Sequence, residues 1–492
     1  MWLLDGIAKI PATEAQVSDL TLDSRQVRPG SLFFALPGLR AHGLEFAEDA
    51  AKRGASAVLW EPRGEATLPA LPPDVFTAAV PNLSHLVGRI ADRFFNWPSS
   101  HLKVVGITGT NGKTTCAYLL AQCLERLGHA AAYMGTIGWG RPAALNEPTH
   151  TTPDAVTVHR TLAQLRASGV REVVMEVSSH ALDQGRVDAV HFQTAALTNL
   201  TRDHLDYHGT MLEYGAAKAK LFQAPELKHI VLNVGDEFGR SLASNYAGGA
   251  SLIAVCARAG DSGWLADRAL HATQVRMELT GISLDLDGSF GRVTIETRLM
   301  GRFNAENSLI VIACLLARGV SLNEAAAALG GAKPAPGRME VLNAGAAHQP
   351  TVVVDYAHTP DALAKALSAA REHCAGALWC VFGCGGDRDA GKRPVMGAIA
   401  DELADQIIVT DDNPRSEDPH AITAAILSGI NAHAARVIHD RGEAIATALK
   451  EAQATDLVLI AGKGHEDYQI YGQTRRSFSD RSEALRYLGA AA

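Results

Sequence analysis

Residues 106–115 read Gly-Ile-Thr-Gly-Thr-Asn-Gly-Lys-Thr-Thr and follow directly on the apolar run Leu102-Lys103-Val104-Val105. Behind them, Leu120, Cys123, Leu124 and Leu127 recur at helical spacing. The pattern predicts a strand, a glycine loop and a helix from about Lys113 to Leu127. This order restricts the fold more than any other feature. A strand that feeds a helix through a short loop belongs to a parallel α/β sheet, whose crossover helices must lie on the sheet faces.

The same loop carries chemistry. Gly109 and Gly112 let backbone N–H groups come close to a phosphate, so Gly109, Thr110, Asn111, Gly112, Lys113, Thr114 and Thr115 form a candidate nucleotide cradle. Lys113 supplies a point charge for the β/γ-phosphates, and the Thr114 hydroxyl suits Mg²⁺. The helix start adds its positive dipole end. The usual G-x-x-x-x-G-K-[ST] pattern needs Gly at position 107, where Ile107 stands, so the shorter G-T-N-G-K-T-T is what fits.

At 492 residues the length prior is about three domains. Linker-like stretches at 96–100 and 330–337 set the expected boundaries at 1–98, 99–335 and 336–492. The first holds a short strand at 32–36, and the second has strand candidates at 173–177, 194–198 and 230–233, with an irregular or antiparallel part near 250–300. The third alternates regularly, with strands expected at 351–355, 377–383, 405–410, 435–438 and 456–460, as in a doubly wound sheet. The fold class expected is α/β throughout.

The balance of 53 acids against 45 bases, a net charge of −8, argues against a nucleic-acid or anionic-membrane partner. The N-terminus has no basic region before its apolar residues, and no apolar run is long enough to span a bilayer, so a cytoplasmic location is expected. Seven cysteines without a CxxC pair read as buried, reduced thiols.

In an open parallel sheet, ligands bind outside the carboxyl ends of the strands. Four polar loops of the last domain fall there: Asp355–Pro360 with His358, Gly383–Asp389 with Arg388, Asp411–Arg415, and Ala461–Asp467 with Gly462 and Glu466. In the middle domain, Glu176 ends a strand beside the phosphate loop and is placed for Mg²⁺. The next strand runs into Asn199, Asp203 and His204, a second source of metal ligands.

Together these strings resemble the Mur ligase family, the ATP-dependent amide ligases of peptidoglycan precursor synthesis. The resemblance rests on Gly109–Thr115, Glu176–His180, Asn199 with Asp203-His204, Gly301–Asn307 and Gly337–Glu340, and covers nearly the whole chain. Leu22-Asp23-Ser24-Arg25 and Asp412-Asn413-Pro414-Arg415 resemble the branch that adds a diamino acid to UDP-N-acetylmuramoyl-L-alanyl-D-glutamate.

The resemblance implies an N-terminal UDP-substrate domain, a central P-loop ATPase-like domain, a Rossmann-like C-terminal domain, and a monomer. It implies γ-phosphoryl transfer to a carboxylate and attack of an amine on the acyl phosphate. It further implies that Glu176 and His204 hold Mg²⁺ with Thr114, that Lys218, as a carbamate, ligates a second Mg²⁺, that Asn307, Arg338 and Asp355 contact ATP, and that His358 lies near the reacting groups. The UDP-sugar peptide is assigned Leu22, Ser24, Leu39, Arg40, Ala41, His150, Thr151, Thr152, Ser178, Gln184 and Arg186, although the family often has Asn where His150 stands. The amino acid, meso-diaminopimelate or L-lysine in most of the family, is assigned Arg388, Asp412, Asn413, Pro414, Arg415, Gly462 and Glu466. Arg415 would pair with the carboxylate that lysine lacks. A nucleotide switch with a phosphate loop is the alternative of a different class, and it has no use for four rim loops on a separate sheet.

Overall fold

The computed structural model describes residues 2–10, 15–38, 41–64, 66–147, 150–257, 268–278, 281–343 and 348–489. Contacts divide the chain into two compact units: Met1–Lys113 with Gly128–Ile230 and Tyr246–Ser251, and Thr114–Leu127 with Val231–Asn245 and Leu252–Ala492.

In the first unit, strands Asp19–Thr21, Ser31–Ala35, Ala57–Trp60 and Phe76–Ala79 lie side by side in chain order, all parallel. Successive side chains of a strand point to opposite faces. Leu32 and Phe34 pack with Val87, Ile90 and Ala91 of helix Val87–Phe94, while Phe33 and Val58 pack with Ala47 and Ala50 on the other side.

The same unit contains the strand that feeds the phosphate loop. Lys103–Thr108 lies between Glu172–Glu176 and Phe192–Leu197, with Ala131–Gly135 beyond, all parallel. Antiparallel strands Gly138–Arg141 and Ala144–Asn146 continue from Ala131–Gly135. Ile107, where the common loop has glycine, is a fully buried ladder residue of the strand. The flanking strands end one residue before the sequence pattern does: Val177 and Thr198 still donate to the ladder, to Ile107 O and Thr108 O, but turn out into loops.

In the second unit, Ser251–Cys256 pairs parallel with Ala269–Glu278, and Gly281–Gly288 and Val293–Thr297 follow antiparallel, as the composition near 250–300 led one to expect. Helix Phe303–Ala317 is apolar around most of its circumference and correspondingly buried. The last sheet has the order Glu340–Val341, Thr351–Asp355, Leu457–Ala461, Leu378–Phe382, Gln406–Val409, Ala435–Val437. Only the first of these runs antiparallel.

That sheet is doubly wound. Val353, Cys380, Phe382, Ile407 and Leu459 share a core with helices Pro360–Glu372, Lys392–Leu403 and Pro419–Leu427. Val352, Val354, Val381, Ile408 and Val458 point to Ala444, Ile445, Ala448 and Ala484 of helices Arg441–Glu451 and Asp480–Leu488. All seven cysteines are free thiols, six of them buried.

Candidate functional site

In the first unit the phosphate loop is braced by residues 198–201. Thr110 N donates to Asn199 O, Asn111 N to Asn199 Oδ1, and Asn111 O accepts from Thr198 Oγ1 at 2.6 Å and Asn199 Nδ2 at 3.2 Å. Gly109 has φ +146°, and a Cβ there would lie 1.8 Å from Thr198 Oγ1, so only glycine lets the two segments meet.

Two lysines converge on this turn. Lys113 Nζ donates to Gly109 O at 2.9 Å and Thr110 O at 2.8 Å. Lys218 Nζ, on helix Met211–Ala219, donates to Gly109 O at 2.8 Å and sits 4.4 Å from the centre of the Tyr214 ring. Lys218 is 1 % exposed, and burial together with the nearby Lys113 charge holds its ammonium well below the usual lysine range. The Tyr214 hydroxyl in turn lies 3.1 Å from Thr110 Oγ1, tying the helix to the loop.

Glu176 is also buried. Its Oε1 accepts from the Tyr133 hydroxyl and from Thr136 N, and its Oε2 from Thr136 Oγ1. Thr136 Oγ1, its one hydrogen spent on Glu176, accepts in turn from the Thr151 hydroxyl at 3.0 Å, Thr152 Oγ1 donates to Glu176 O, and Ser178 N donates to Thr152 Oγ1. Arg186 closes the network through Thr152 O and Gln184 Oε1, and Gln184 reaches the Tyr207 hydroxyl. Thr151, Thr152, Ser178, Gln184 and Arg186 are therefore brought together.

His204 has left-handed backbone at φ 52° and stacks edge-on with His180, centroids 4.9 Å apart. His150 is exposed. Leu22, Ser24 and Ala41 belong to the N-terminal sheet region and do not hydrogen-bond to this network; Leu39 and Arg40 lie outside the described residues.

The second unit holds the remaining positions. Asn307 is buried, donates to Asn304 Oδ1 and accepts from Cys116 Sγ. Thr114 and Thr115 are buried at the start of the loop helix. Asp355 Oδ2 accepts from Met339 N, and burial raises its carboxyl against the opposing pull of Arg338. Arg338 lies over the Tyr356 ring. His358 Nδ1–H donates to Tyr356 O, and burial lowers the pKa of its imidazole.

The rim loops enclose a cleft of about 860 Å³ lined by His358, Arg388, Asp412, Asn413, Arg415, Gly462, Glu466 and Tyr468, among others. Within Asp412–Arg415, Pro414 alone does not line the cleft; it is buried, and its carbonyl accepts from Glu417 N. Proline fixes φ and has no N–H to offer, so its part is to shape the turn. Arg415 Nη1 donates to Gly386 O at 2.8 Å and passes Gly385 so closely that a Cβ there would lie 2.9 Å away.

One element of this site has no counterpart in the sequence reading. A hairpin, Tyr468–Tyr471 and Thr474–Ser477, clamps the Asp412–Arg415 loop. Arg415 N donates to Ile470 O, Gly472 N to Arg415 O, and Gln469 Nε2 to the carbonyls of Asp411 and Asp412. The alternation in Tyr468-Gln469-Ile470-Tyr471 was the available signal.

Comparisons with known proteins bear on the whole chain. The Mur ligase family, catalytic domain, matches residues 16–95; the Mur ligase middle domain, 107–315; and the Mur ligase, glutamate ligase domain, 337–464. The chain is 46% identical over 487 residues to the UDP-N-acetylmuramoyl-L-alanyl-D-glutamate--2,6-diaminopimelate ligase of Alkalilimnicola ehrlichii, covering 97% of this chain and 96% of that one. It is 48% identical over 484 residues to the protein of the same name from Ectopseudomonas mendocina, covering 98% and 97%. A solved structure of a ligase of that name superposes with a TM-score of 0.69 at 34% identity over 97% of each chain.

Proposed function

The chain belongs to the Mur ligase family, and on that basis we propose how its two sites divide one reaction. The protein is an ATP-dependent ligase of peptidoglycan synthesis that joins UDP-N-acetylmuramoyl-L-alanyl-D-glutamate to meso-diaminopimelate. ATP's γ-phosphoryl passes to the dipeptide carboxylate, and the amine displaces phosphate from the acyl phosphate. The three family matches fall inside 1–98, 99–335 and 336–492, which supports reading these as UDP-substrate, ATP and amino-acid domains. No described helix is long and apolar enough to cross a membrane, in keeping with a cytoplasmic enzyme.

In this reading Lys113 and the loop N–H groups of 109–115 bind the ATP phosphates and hold charge that builds during transfer. Asn307, Arg338 and Asp355 take the rest of the nucleotide, and His358 stands near the reacting groups. Leu22, Ser24, Leu39, Arg40, Ala41, His150, Thr151, Thr152, Ser178, Gln184 and Arg186 take the UDP-dipeptide.

Among the described residues no three His, Cys, Asp or Glu side chains converge as a closed metal cage. One carboxylate, one imidazole and one hydroxyl leave room for phosphate oxygens and water, which fits Mg²⁺. We assign it Thr114, Glu176 and His204, and assign Lys218, as a carbamate, to a second Mg²⁺. Mg²⁺ supplies charge neutralisation on the transferring group. The lowered pKa of Lys218 supports the carbamate: a neutral amine adds to CO₂, losing one proton and gaining a carboxylate.

The observation that carries the amino-acid assignment is the cleft itself. Asp412 and Glu466 offer acceptors for ammonium groups, while Arg388 and Arg415 offer donors for carboxylates. This suits an amino acid with two of each. The test is phosphate release from ATP. It should require the UDP-dipeptide and meso-diaminopimelate together, with L-lysine a poor replacement; slow hydrolysis indifferent to both would instead indicate a nucleotide switch.

A further inference from the structure

Lys463 has no place in the chemistry so far. It stands between Gly462 and Gly464 of a rim loop, yet its side chain is 0 % exposed and does not line the cleft. Burying an ammonium is costly unless it is paired and hydrogen-bonded, and its partners are specific. Nζ donates to Glu466 Oε2 at 3.1 Å and to Asn413 Oδ1 at 3.4 Å. Asn413 Nδ2 donates to that same Glu466 oxygen at 3.0 Å, closing a triangle of three side chains. The Tyr468 ring covers a further side of the ammonium, its centre 5.3 Å away.

The triangle decides which atoms are left for a ligand. Neither the ammonium nor Ile470 N–H can accept, so Asn413 must turn Oδ1 towards both and Nδ2 towards Glu466. Glu466 Oε2 is then occupied by two donors. Among the described residues Oε1 has no hydrogen-bond partner, and Glu466 lines the cleft.

Resting on the ligase reading above, we propose that Lys463 is a positioning residue of the amino-acid site. Its ammonium brackets Asn413 and Glu466 from behind the cleft wall. Glu466 Oε1 then accepts from an ammonium of the incoming diamino acid, and the second Nδ2 hydrogen of Asn413 donates to one of its carboxylates. Lys463 itself touches no substrate.

A buried ion pair that merely stabilises the domain would lower activity without regard to substrate. Steady-state kinetics of the full-length K463M, E466Q and double variants separate the two. K463M should raise KM for meso-diaminopimelate about tenfold or more while leaving KM for ATP unchanged. Because Lys463 acts through Glu466, the double variant should be no worse than E466Q alone. An unchanged KM for the amino acid, equal losses for both substrates, or additive effects overturn the proposal. If K463M does not fold, K463A, which also deletes the donor, is read by the same coupling to E466Q. A wild-type enzyme that releases no phosphate with meso-diaminopimelate sinks the ligase reading itself. A wild-type enzyme that does, beside a K463M variant with unaltered KM, sinks only the Lys463 assignment.

Discussion

The phosphate loop and the C-terminal cleft handle buried cations in opposite ways. At the loop, Lys113 and Lys218 both donate to one carbonyl, Gly109 O, and burial, with the Lys113 charge second, pushes protons off Lys218. At the cleft, each buried cation meets an anion: Lys463 meets Glu466, Arg393 meets Glu417, and Arg441 meets Asp480 with both side chains fully buried. Arg441 also reaches the carbonyls of Ala461 and Asp411, just before two cleft-lining residues. The first region is poised to receive negative charge, which a triphosphate brings. The second is already balanced, and what it offers a ligand is shape and the direction of its remaining donors and acceptors.

The largest effects should therefore come from Lys218. Lys218→Ala should cost on the order of 10²–10³-fold in ligation rate, with partial recovery in acetate or chloride and no response to added bicarbonate. A fully active alanine variant would break the contrast. In CO₂-free buffer, where Lys218 stays a free amine, Lys218→Met should lose activity while raising Tm, because it removes a desolvated amine. The folded-state pKa lies below the unfolded value near 10.5, so folding expels a proton. The resulting penalty is full below the folded-state pKa and disappears above the unfolded one. The Tm gain of the methionine variant should accordingly shrink towards zero as pH rises to that value. A gain independent of pH would mean packing, not charge, is responsible.

Arg415 tests the balanced region. Its guanidinium lines the cleft with Nη1 on Gly386 O, and lysine as substrate would leave it without a carboxylate. Arg415→Ala should raise KM for meso-diaminopimelate on the order of 10²-fold, from a loss of about 2–5 kcal/mol. KM for ATP should hold, and discrimination against L-lysine should collapse. Equal losses for ATP and amino acid would show that the two regions are one electrostatic unit after all.

How much of this was legible depended on sequence distance. The phosphate loop is a local device: its glycines, lysine and following helix are contiguous, so the pattern names them. The rim loops were legible because strand ends in a parallel sheet place them by rule. The Tyr133 and Thr136 cradle around Glu176, and the burial of Lys463 between two glycines, arise from partners brought in by tertiary packing. No spacing announces them. The hairpin's alternating residues signal a strand, but not its role as a clamp, since it acts through the loop it holds some 55 residues upstream, from Arg415 to Ile470.

That clamp gives the smallest predicted effect and the sharpest. Arg415 sits at φ 53°, left-handed backbone that a non-glycine residue adopts at a cost of about 1–3 kcal/mol. The hairpin offsets that cost with two main-chain hydrogen bonds, and Tyr471 anchors it by donating its hydroxyl to Asp411 Oδ2 at 3.0 Å. Asp411 Oδ1 is held by His439 Nδ1. Tyr471→Phe deletes one hydrogen bond, worth about 1 kcal/mol net, and touches no cleft-lining atom. It should raise KM for meso-diaminopimelate only about fivefold, with ATP unaffected, and should speed amide hydrogen exchange at Arg415 and Gly472. If exchange accelerates while KM stays fixed, Arg415 is held by its contact with Gly386 and the hairpin is only a cover. If both move together, the specificity of the cleft rests on a strained backbone that the hairpin keeps in place.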